Sequence, residues 1–403
     1  MVLRLWPGVI ASLMPLAGCD RPPVPHPADS VESAGSAPSA GAAPAKAARR
    51  YYVDASAPEA GDGTRAAPYR SIQQAADVAG PGDTVLVRPG AYTGPDRIVS
   101  LTQSGTPGAW ITFLSEQKWK AVIDGRDGTS LEAWYFGPGV AYVRVEGFEI
   151  RDLREHGFDT YGGGVHDLLI AHNHVHHIGR NCTDTSNGRT GASLGAKTRR
   201  VTFDGNVWHD IGRLAPEENG CAPRTEYYQN HDHGIYIADA DEIVVTNNVF
   251  YNFKRGWAVH RYHSRGSITR GLLIANNTFA GENPYRPGQI ILATSTAGLR
   301  VENNIFHLPQ SAALYFENLS FPDGTVRYNM VSGGVMAVGR PRDVTVSRNW
   351  ERTDPRMAGD RDFRLTPESP AIDVGLSLSE VTHDAEGARR PRGRGYDLGA
   401  YER

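Results

Sequence analysis

One short pattern recurs along the chain and limits what it can fold into. LLIAHN (168–173), VTFDGN (201–206) and IVVTNN (243–248) are followed by LLIANN (272–277), LRVENN (299–304), GTVRYN (324–329) and VTVSRN (344–349). Each is a short alternating run that ends in Asn. Most are followed by a second apolar pair: Val207-Trp208, Val249-Phe250, Thr278-Phe279, Ile305-Phe306. Alternation over about five residues marks a strand with one buried face. The Asn-to-Asn spacings are 33, 42, 29, 27, 25 and 20. A helical repeat would not alternate with period two on both sides of the Asn. An antiparallel sandwich would not place one residue type at one corner again and again. Stacked coils of three short parallel strands account for both observations. The Asn is expected at a tight corner, where its tolerance of the left-handed conformation is useful, and stacked Asn side chains are expected to bond from coil to coil.

The variable spacing then becomes loop length at one corner, with long excursions near 180–196 and 213–232. A third strand is read at Gly157–Tyr161, Gly234–Ile237, Gly256–His260, Gly288–Leu292 and Ala312–Phe316. Aligning the glycines at 234, 256 and 288 puts Ile235, Trp257 and Gln289 on one row and Ile237, Val259 and Ile291 on another, taken as interior. Tyr236, Ala258 and Ile290 then face out, as do Ala238, His260 and Leu292.

The N-terminal 49 residues read differently. Arg4 precedes a mostly apolar run from Leu5 to Leu16, too short to span a bilayer, which needs about 20 apolar residues. The run ends in Leu16-Ala17-Gly18-Cys19, which resembles a bacterial lipobox with Cys19 as the lipidated residue. The resemblance implies an exported, membrane-anchored lipoprotein held at the periplasmic or cell-surface side. Residues 20–49, rich in Pro, Ala, Ser and Gly, cannot bury a core and read as a tether to a single domain over 50–403. The formal net charge of −3 gives no field that would select nucleic acid. A monomer is expected. Export makes a disulfide between Cys182 and Cys221 permissible, without supplying its geometry.

The segments flanking the repeats are similar to a known superfamily. Tyr51–Gly94 contains YYVDAS and GDGTRAAPYRSIQQAADVAGPGDTVLVRPGAYTG; SPAIDVG (369–375) and YDLGAYE (396–402) lie near the end. Together they resemble the opening and closing segments of the pectin-lyase-like superfamily. The resemblance implies an all-β, right-handed parallel β-helix over residues 51–403, with a cap helix near Ser71–Ala79. It is specific for fold and not for activity. The calcium-binding and catalytic signatures of alginate and chondroitin lyases, family-nine pectate lyases and mannuronan epimerases find no clear match, so no catalytic residue is carried over.

The densest polar constellation is Asn230-His231-Asp232-His233-Gly234-Ile235-Tyr236, followed one coil later by Lys254 to His263. Alignment of Gly234 with Gly256 places His233 beside Arg255, Ala238 beside His260 and Asp239 beside Arg261. For β-elimination on a uronic acid polymer, the substrate carboxylate must be neutralised and its α-proton removed. Arg261 or Arg255 is the candidate carboxylate partner, His260 or Lys254 the base, and Tyr236 the acid, with His233 beside them. Trp257, Tyr262 and His263 are expected to bind substrate, and Asp232 and Asp239 to hold Ca²⁺. The structural alternative makes Asp239–Arg261 an inter-coil ion pair and His233 a turn residue.

Two further sets stand out. His172, His174, His176, His177, His209 and Asp210 would meet across adjacent coils, His176 beside His209 and His177 beside Asp210. This is either a transition-metal set or a solvated polar ladder. Asp159, Asp232, Asp239, Glu282 and Glu317 are carboxylates for glycoside hydrolysis. The expected function is an extracytoplasmic polysaccharide-active protein, lyase ahead of hydrolase or uronate epimerase, with a non-catalytic glycan-binding or envelope protein as the alternative.

Overall fold

The computed structural model describes residues 47–182, 187–195, 197–214, 231–253, 256–262, 268–281 and 287–403. Residues Ala47–Arg403 form one compact unit. Its strands fall into three sheets of eleven, ten and nine members among the described residues, and each pairing between strands is parallel. A chain that places each strand one coil beyond the strand three elements earlier is a parallel β-helix.

The coil corner shows why the repeats end in Asn. Asn173, Asn206, Asn248, Asn277, Asn304, Asn329 and Asn349 stack in one column. From Asn206 onward the oxygen of each accepts both the backbone N–H and the side-chain amide of the Asn before it, at 2.8–3.1 Å, and that of Asn173 accepts the backbone N–H of Phe148. Each Nδ2 in the column also donates to a backbone carbonyl of its own or the preceding coil, such as Ile170, Phe203 and Val245. The left-handed residue is not the column Asn, as the sequence suggested, but the residue before it: Gly205, Asn247, Asn276 and Asn303 all have positive φ. The Asn-Asn pairs therefore divide two tasks. The first residue turns the chain and the second joins the column.

The apolar pairs that follow the corner line the interior. Trp208, Phe250, Phe279 and Phe306 stack nearly parallel, with successive ring centroids 6.1, 4.8 and 4.9 Å apart. Small residues on the nine-stranded sheet make room for them. A Cβ at Gly191 would lie 2.7 Å from the Trp208 ring, and one at Gly234 3.0 Å from Phe253.

The N-terminal end of the stack is capped locally. Ser71 caps the helix Ile72–Ala76 in a capping box with Gln74. Ile72, Ala75 and Ala76 are buried. Gln73 exchanges two hydrogen bonds with the backbone of Ser100 on the edge strand Arg97–Leu101 (2.7 and 3.1 Å), so the helix covers an edge that would otherwise be free to pair. The C-terminal segment uses the first residues of the Asn-Asn pairs. Asn303 bonds Leu376 in both directions, and Asn276 donates to the carbonyl of Asp397.

The structure corrects the expected register on the nine-stranded sheet. Ile235 pairs with Val259 and Val259 with Ile290, so Gly234 aligns with Ala258, not with Gly256. Gly256 and Trp257 belong to the approach to the strand. A Cβ on Gly256 would lie 1.8 Å from the carbonyl oxygen of Asp232. Ile290 and Leu292 consequently face inward and Ile291 outward beside Tyr315, the reverse of the expectation. Thr190–Leu194, expected to be part of an excursion, is a full strand of the sheet.

Replacing Asn277 with Ala would strand the backbone N–H of Asn248 in the interior and take from the carbonyls of Val245 and Ala275 the amide that donates to them. A buried unsatisfied group costs about 1–3 kcal/mol, so Asn277→Ala is expected to lose ~2–4 kcal/mol in urea unfolding. Asn349→Ala, at the half-exposed end of the column, is expected to lose clearly less.

Candidate active-site groove

The outer face of the nine-stranded sheet carries its side chains in rows, because parallel register keeps equivalent residues about 4.8 Å apart. One row runs Glu132, His156, Thr190, His233. The next runs Tyr135, Asp159, Ser193, Tyr236, His260. The carboxylates therefore stand on one side, with His156 and Tyr135 among them, His233, Tyr236 and His260 stand on the other, and the small hydroxyl residues Thr190 and Ser193 form the floor between. The resulting groove has a volume of about 580 Å³ and includes Glu155, Asp159, His231, His233, Tyr236 and His260 in its lining. Tyr161 and Tyr262, both exposed, line its outer edge, and Tyr262 stacks on Tyr236 at 6.3 Å.

The two histidines on the far side are fixed by a chain of hydrogen bonds. The backbone N–H of Trp257 donates to Nδ1 of His233 (3.2 Å), and Nε2 of His233 lies 2.9 Å from Nδ1 of His260. Burial holds both rings well below the ordinary histidine value, His260 at about 3 with help from the nearby His231. Both are therefore neutral near pH 7, and the tautomers follow. His233 accepts at Nδ1 and so carries its proton on Nε2. His260 accepts that proton at Nδ1 and so carries its own on Nε2. The free nitrogen of His260 is a hydrogen-bond donor rather than the base expected from sequence. Burial also raises the Tyr236 phenol above its ordinary value, which keeps it protonated.

On the carboxylate side, burial raises Asp159, with a further push from the charge of Glu155; Oδ1 accepts the backbone N–H of Tyr161 at 2.9 Å. Burial pushes Glu132 up to about 7, Asp159 adding to the effect and Arg97, at 3.1 Å, opposing it. His156 contacts Thr190 at 2.9 Å and is held down to about 4 by burial and by the charge of Arg189.

Several expected site residues lie elsewhere. Arg261 alternates with His260 and points into the solenoid. It is 0% exposed, its nearest carboxylate is Asp241 at 3.7 Å, and burial lowers it to about 10. It does not reach a polymer in the groove. Asp232 is also fully buried. Its two oxygens take four N–H donors, from the backbone of Arg189 and from the backbone, Nε and Nη2 of Arg213. Asp232 and Asp239 flank the strand His233–Ala238, and seven residues of extended chain span about 23 Å. They do not share one Ca²⁺. Trp257 is buried, with its indole N–H on the carbonyl of Pro287, and stacks beside His233 at 5.8 Å instead of binding substrate. Lys254, Arg255, His263, Glu282, Cys221 and Cys19 lie outside the described residues. Cys182 is disulfide-bonded, to a partner outside them.

Sequence reasoning missed Thr190, Ser193, His156 and Glu155. Thr190 and Ser193 lie on TGASL, whose one large apolar residue, Leu194, is too little to announce a strand, and Glu155 and His156 precede or open the strand one coil earlier. The glycine of Gly157, Gly191 and Gly234 recurring at one interior position was the available signal.

Residues 51–271 match the sequence profile described as the Pel9A-like, right-handed beta helix region. The chain belongs to this family. It is 23% identical to pectate lyase L of Dickeya chrysanthemi over 88% of the chain and 91% of that protein. It is 35% identical to pectate lyase PEL9 of Emericella nidulans over 42% of the chain and 40% of that protein. Among solved structures, pectate lyase Pel9A aligns over 88% of this chain and 96% of its own, at 15% identity and a TM-score of 0.39. The superfamily resemblance and the parallel β-helix read from the sequence are thereby shown.

Three measurements test this description. The unfolded chain protonates His156, His233 and His260 near pH 6.5, whereas the folded chain takes these protons only at lower pH, about 4 for His156 and about 3 for His260. Between those limits the unfolded state binds more protons, so this contribution to stability is complete above pH 6.5 and is lost as pH falls through about 4 to 3. The thermal midpoint is expected to fall steeply below pH 6.5; a flat profile would show that these rings are charged in the fold. Glu132 has the opposite sign. Its folded value of about 7 exceeds its ordinary 4.5, so stability declines as pH rises between them, and Glu132→Gln is expected to remove that decline. Asp232→Ala leaves Arg213 buried without its carboxylate and is expected to cost about 3–5 kcal/mol in thermal or urea unfolding.

Proposed function

We propose that this protein is an extracytoplasmic polysaccharide lyase that cleaves a uronic-acid-containing chain by β-elimination in this groove, and that acylation of Cys19 anchors it to a membrane. The names of the relatives aligned over most of the chain support the reaction class. The observation that carries the reading is the bond chain from Trp257 through His233 to His260, which presents a fixed neutral N–H donor in a groove that also holds an acid and a base.

The floor sets the position of the sugar. A ring over Ser193 is flanked by Asp159 on one strand and Tyr236 on the next but one, about 10 Å apart at the backbone. Asp159, with its proton affinity raised by burial, removes the proton from the carbon that bears the substrate carboxylate. The electron pair left on that carbon first spreads into the carboxylate, where the Nε2–H of His260 donates to the developing charge. It then forms the new double bond as the neighbouring carbon–oxygen bond breaks. Tyr236, held protonated, gives its proton to the departing glycosidic oxygen. Tyr161 and Tyr262 offer apolar ring faces to the flanking sugars.

The test is ultraviolet absorbance of unsaturated uronate after incubation with polygalacturonate, pectin, rhamnogalacturonan and alginate. Product is expected with at least one polymer. Asp159→Asn and Tyr236→Phe are expected to lower kcat by about 10²–10⁴-fold, the range for a general acid or base. His260→Ala is expected to lose about 10²-fold or more, as when one donor to a developing oxyanion is removed. Lys254→Met is the companion variant: if it abolishes turnover while Asp159→Asn does not, the base is Lys254. New reducing ends without unsaturated product would make the groove a hydrolase. Binding without either product would make it a glycan-binding surface.

A further inference from the structure

A different face of the molecule carries the densest imidazole cluster. The strands His174–Ile178 and Val207–Ile211 are neighbours in the ten-stranded sheet, which takes no part in the groove. Val175 and Trp208 point inward, so His174 and His176 project outward from one coil, and His209, paired with His176, projects from the next. His177 and Asp210 occupy equivalent left-handed positions. The ring nitrogens of His174, His176 and His209 offer three donor atoms within 4.8 Å of one another. His176 and His209 stack with centroids 4.8 Å apart, and Tyr251 stacks on the other side of His209 at 4.5 Å.

The hydrogen bonds within this cluster leave it incomplete. Nδ1 of His209 lies 2.6 Å from Oδ2 of Asp210 and donates to it, which turns the lone pair of its Nε2 outward. Asp210 is itself held by the side-chain amide of Asn252. Nε2 of His174 approaches that lone pair at 2.7 Å. Nε2 of His176 is buried and has no hydrogen-bond partner among the described residues; the nearest carboxylate oxygen, on Glu149, is 3.4 Å away. A buried ring nitrogen without a partner calls for one. Tetrahedral ligation at about 2.05 Å places donor atoms about 3.3 Å apart, so small side-chain rotations bring these three nitrogens to one centre. Imidazole donors favour zinc, copper, nickel or iron over calcium and magnesium. The Asp210–His209 bond is the arrangement that orients a metal-binding ring and strengthens it as a ligand.

We propose that His174, His176 and His209 form a site for one divalent transition-metal ion of the zinc class, clamping two adjacent coils, with Asp210 as a positioning residue and the fourth place open to water or Glu149.

The test uses the full chain stripped with a chelator. It is titrated with Zn²⁺ in a calorimeter and with Co²⁺ while the visible spectrum is recorded. The expected result is one ion per chain, the intense visible bands of a four-coordinate Co²⁺ centre, and a thermal midpoint raised by Zn²⁺. His174→Ala and His176→Gln are expected to weaken binding by at least about 100-fold, and Asp210→Asn by about 10–100-fold, the usual range for such a partner. Melts without metal establish that each variant folds, and the conservative His176→Gln serves if His174→Ala does not. Absence of uptake, or uptake with unchanged affinity in the folded variants, would overturn the site and leave the cluster a polar ladder.

Discussion

A carboxamide has one oxygen that accepts twice and one nitrogen that donates twice, and the column from Asn173 to Asn349 uses both ends at nearly every coil. The oxygen takes the turn N–H and the amide of the coil before, and the nitrogen satisfies turn carbonyls. Corner groups that no strand ladder could pair are thus buried without being orphaned. Each coil is also locked to the next at one fixed side-chain position. A longer or shorter loop elsewhere changes nothing at that corner, which is how spacings from 20 to 42 residues coexist in one solenoid.

The groove depends on that lock. With the coils held in register, chemistry on the outer face becomes a matter of which residue occupies which place on a grid. Small residues at Thr190 and Ser193 make the depression, and the carboxylates and imidazoles on either side follow from the coils before and after. The interior glycines contribute from beneath. Gly191 and Gly234 let the large rings of the opposite wall approach the sheet, and Gly157 does the same for Val175, so the groove strands lie close over Trp208 and Phe253.

Buried charge is handled in two ways. Arg213 with Asp232, and Arg390 with Glu402, are ion pairs with almost no exposure, each supported by further hydrogen bonds. Such pairs contribute definition more than net stability, because desolvation offsets much of the attraction. They hold the segment before the groove strand and the C-terminal segment in single arrangements. Arg261 differs: none of its guanidinium nitrogens makes a hydrogen bond within the described residues, and Asp241 lies beyond hydrogen-bond distance. Its position on an inward row is fixed by the parity of the strand.

The sequence by itself determined the coil. Alternating runs, a recurring corner Asn and stacked aromatic pairs are local signals, and each reports on burial within a few residues of itself. The opening segment lies within the stretch that the family profile matches. What only the tertiary structure decided was register between coils. A slip of two residues at Gly256, and of one at Gly288, exchanged the partners of His260 and turned Ile290 and Leu292 inward. Parity within the strand sent Arg261 inside even while His260 stayed in the groove. The strand Thr190–Leu194 was invisible because small residues carry no hydrophobic signal. The physical reason for the register is that a strand's own sequence fixes which residues alternate, but its neighbour is chosen by hydrogen bonds and packing across some 20 to 40 intervening residues. The histidine cluster was legible because His176 and His209 both follow a corner Asn at three residues, so the column itself carried the register to them.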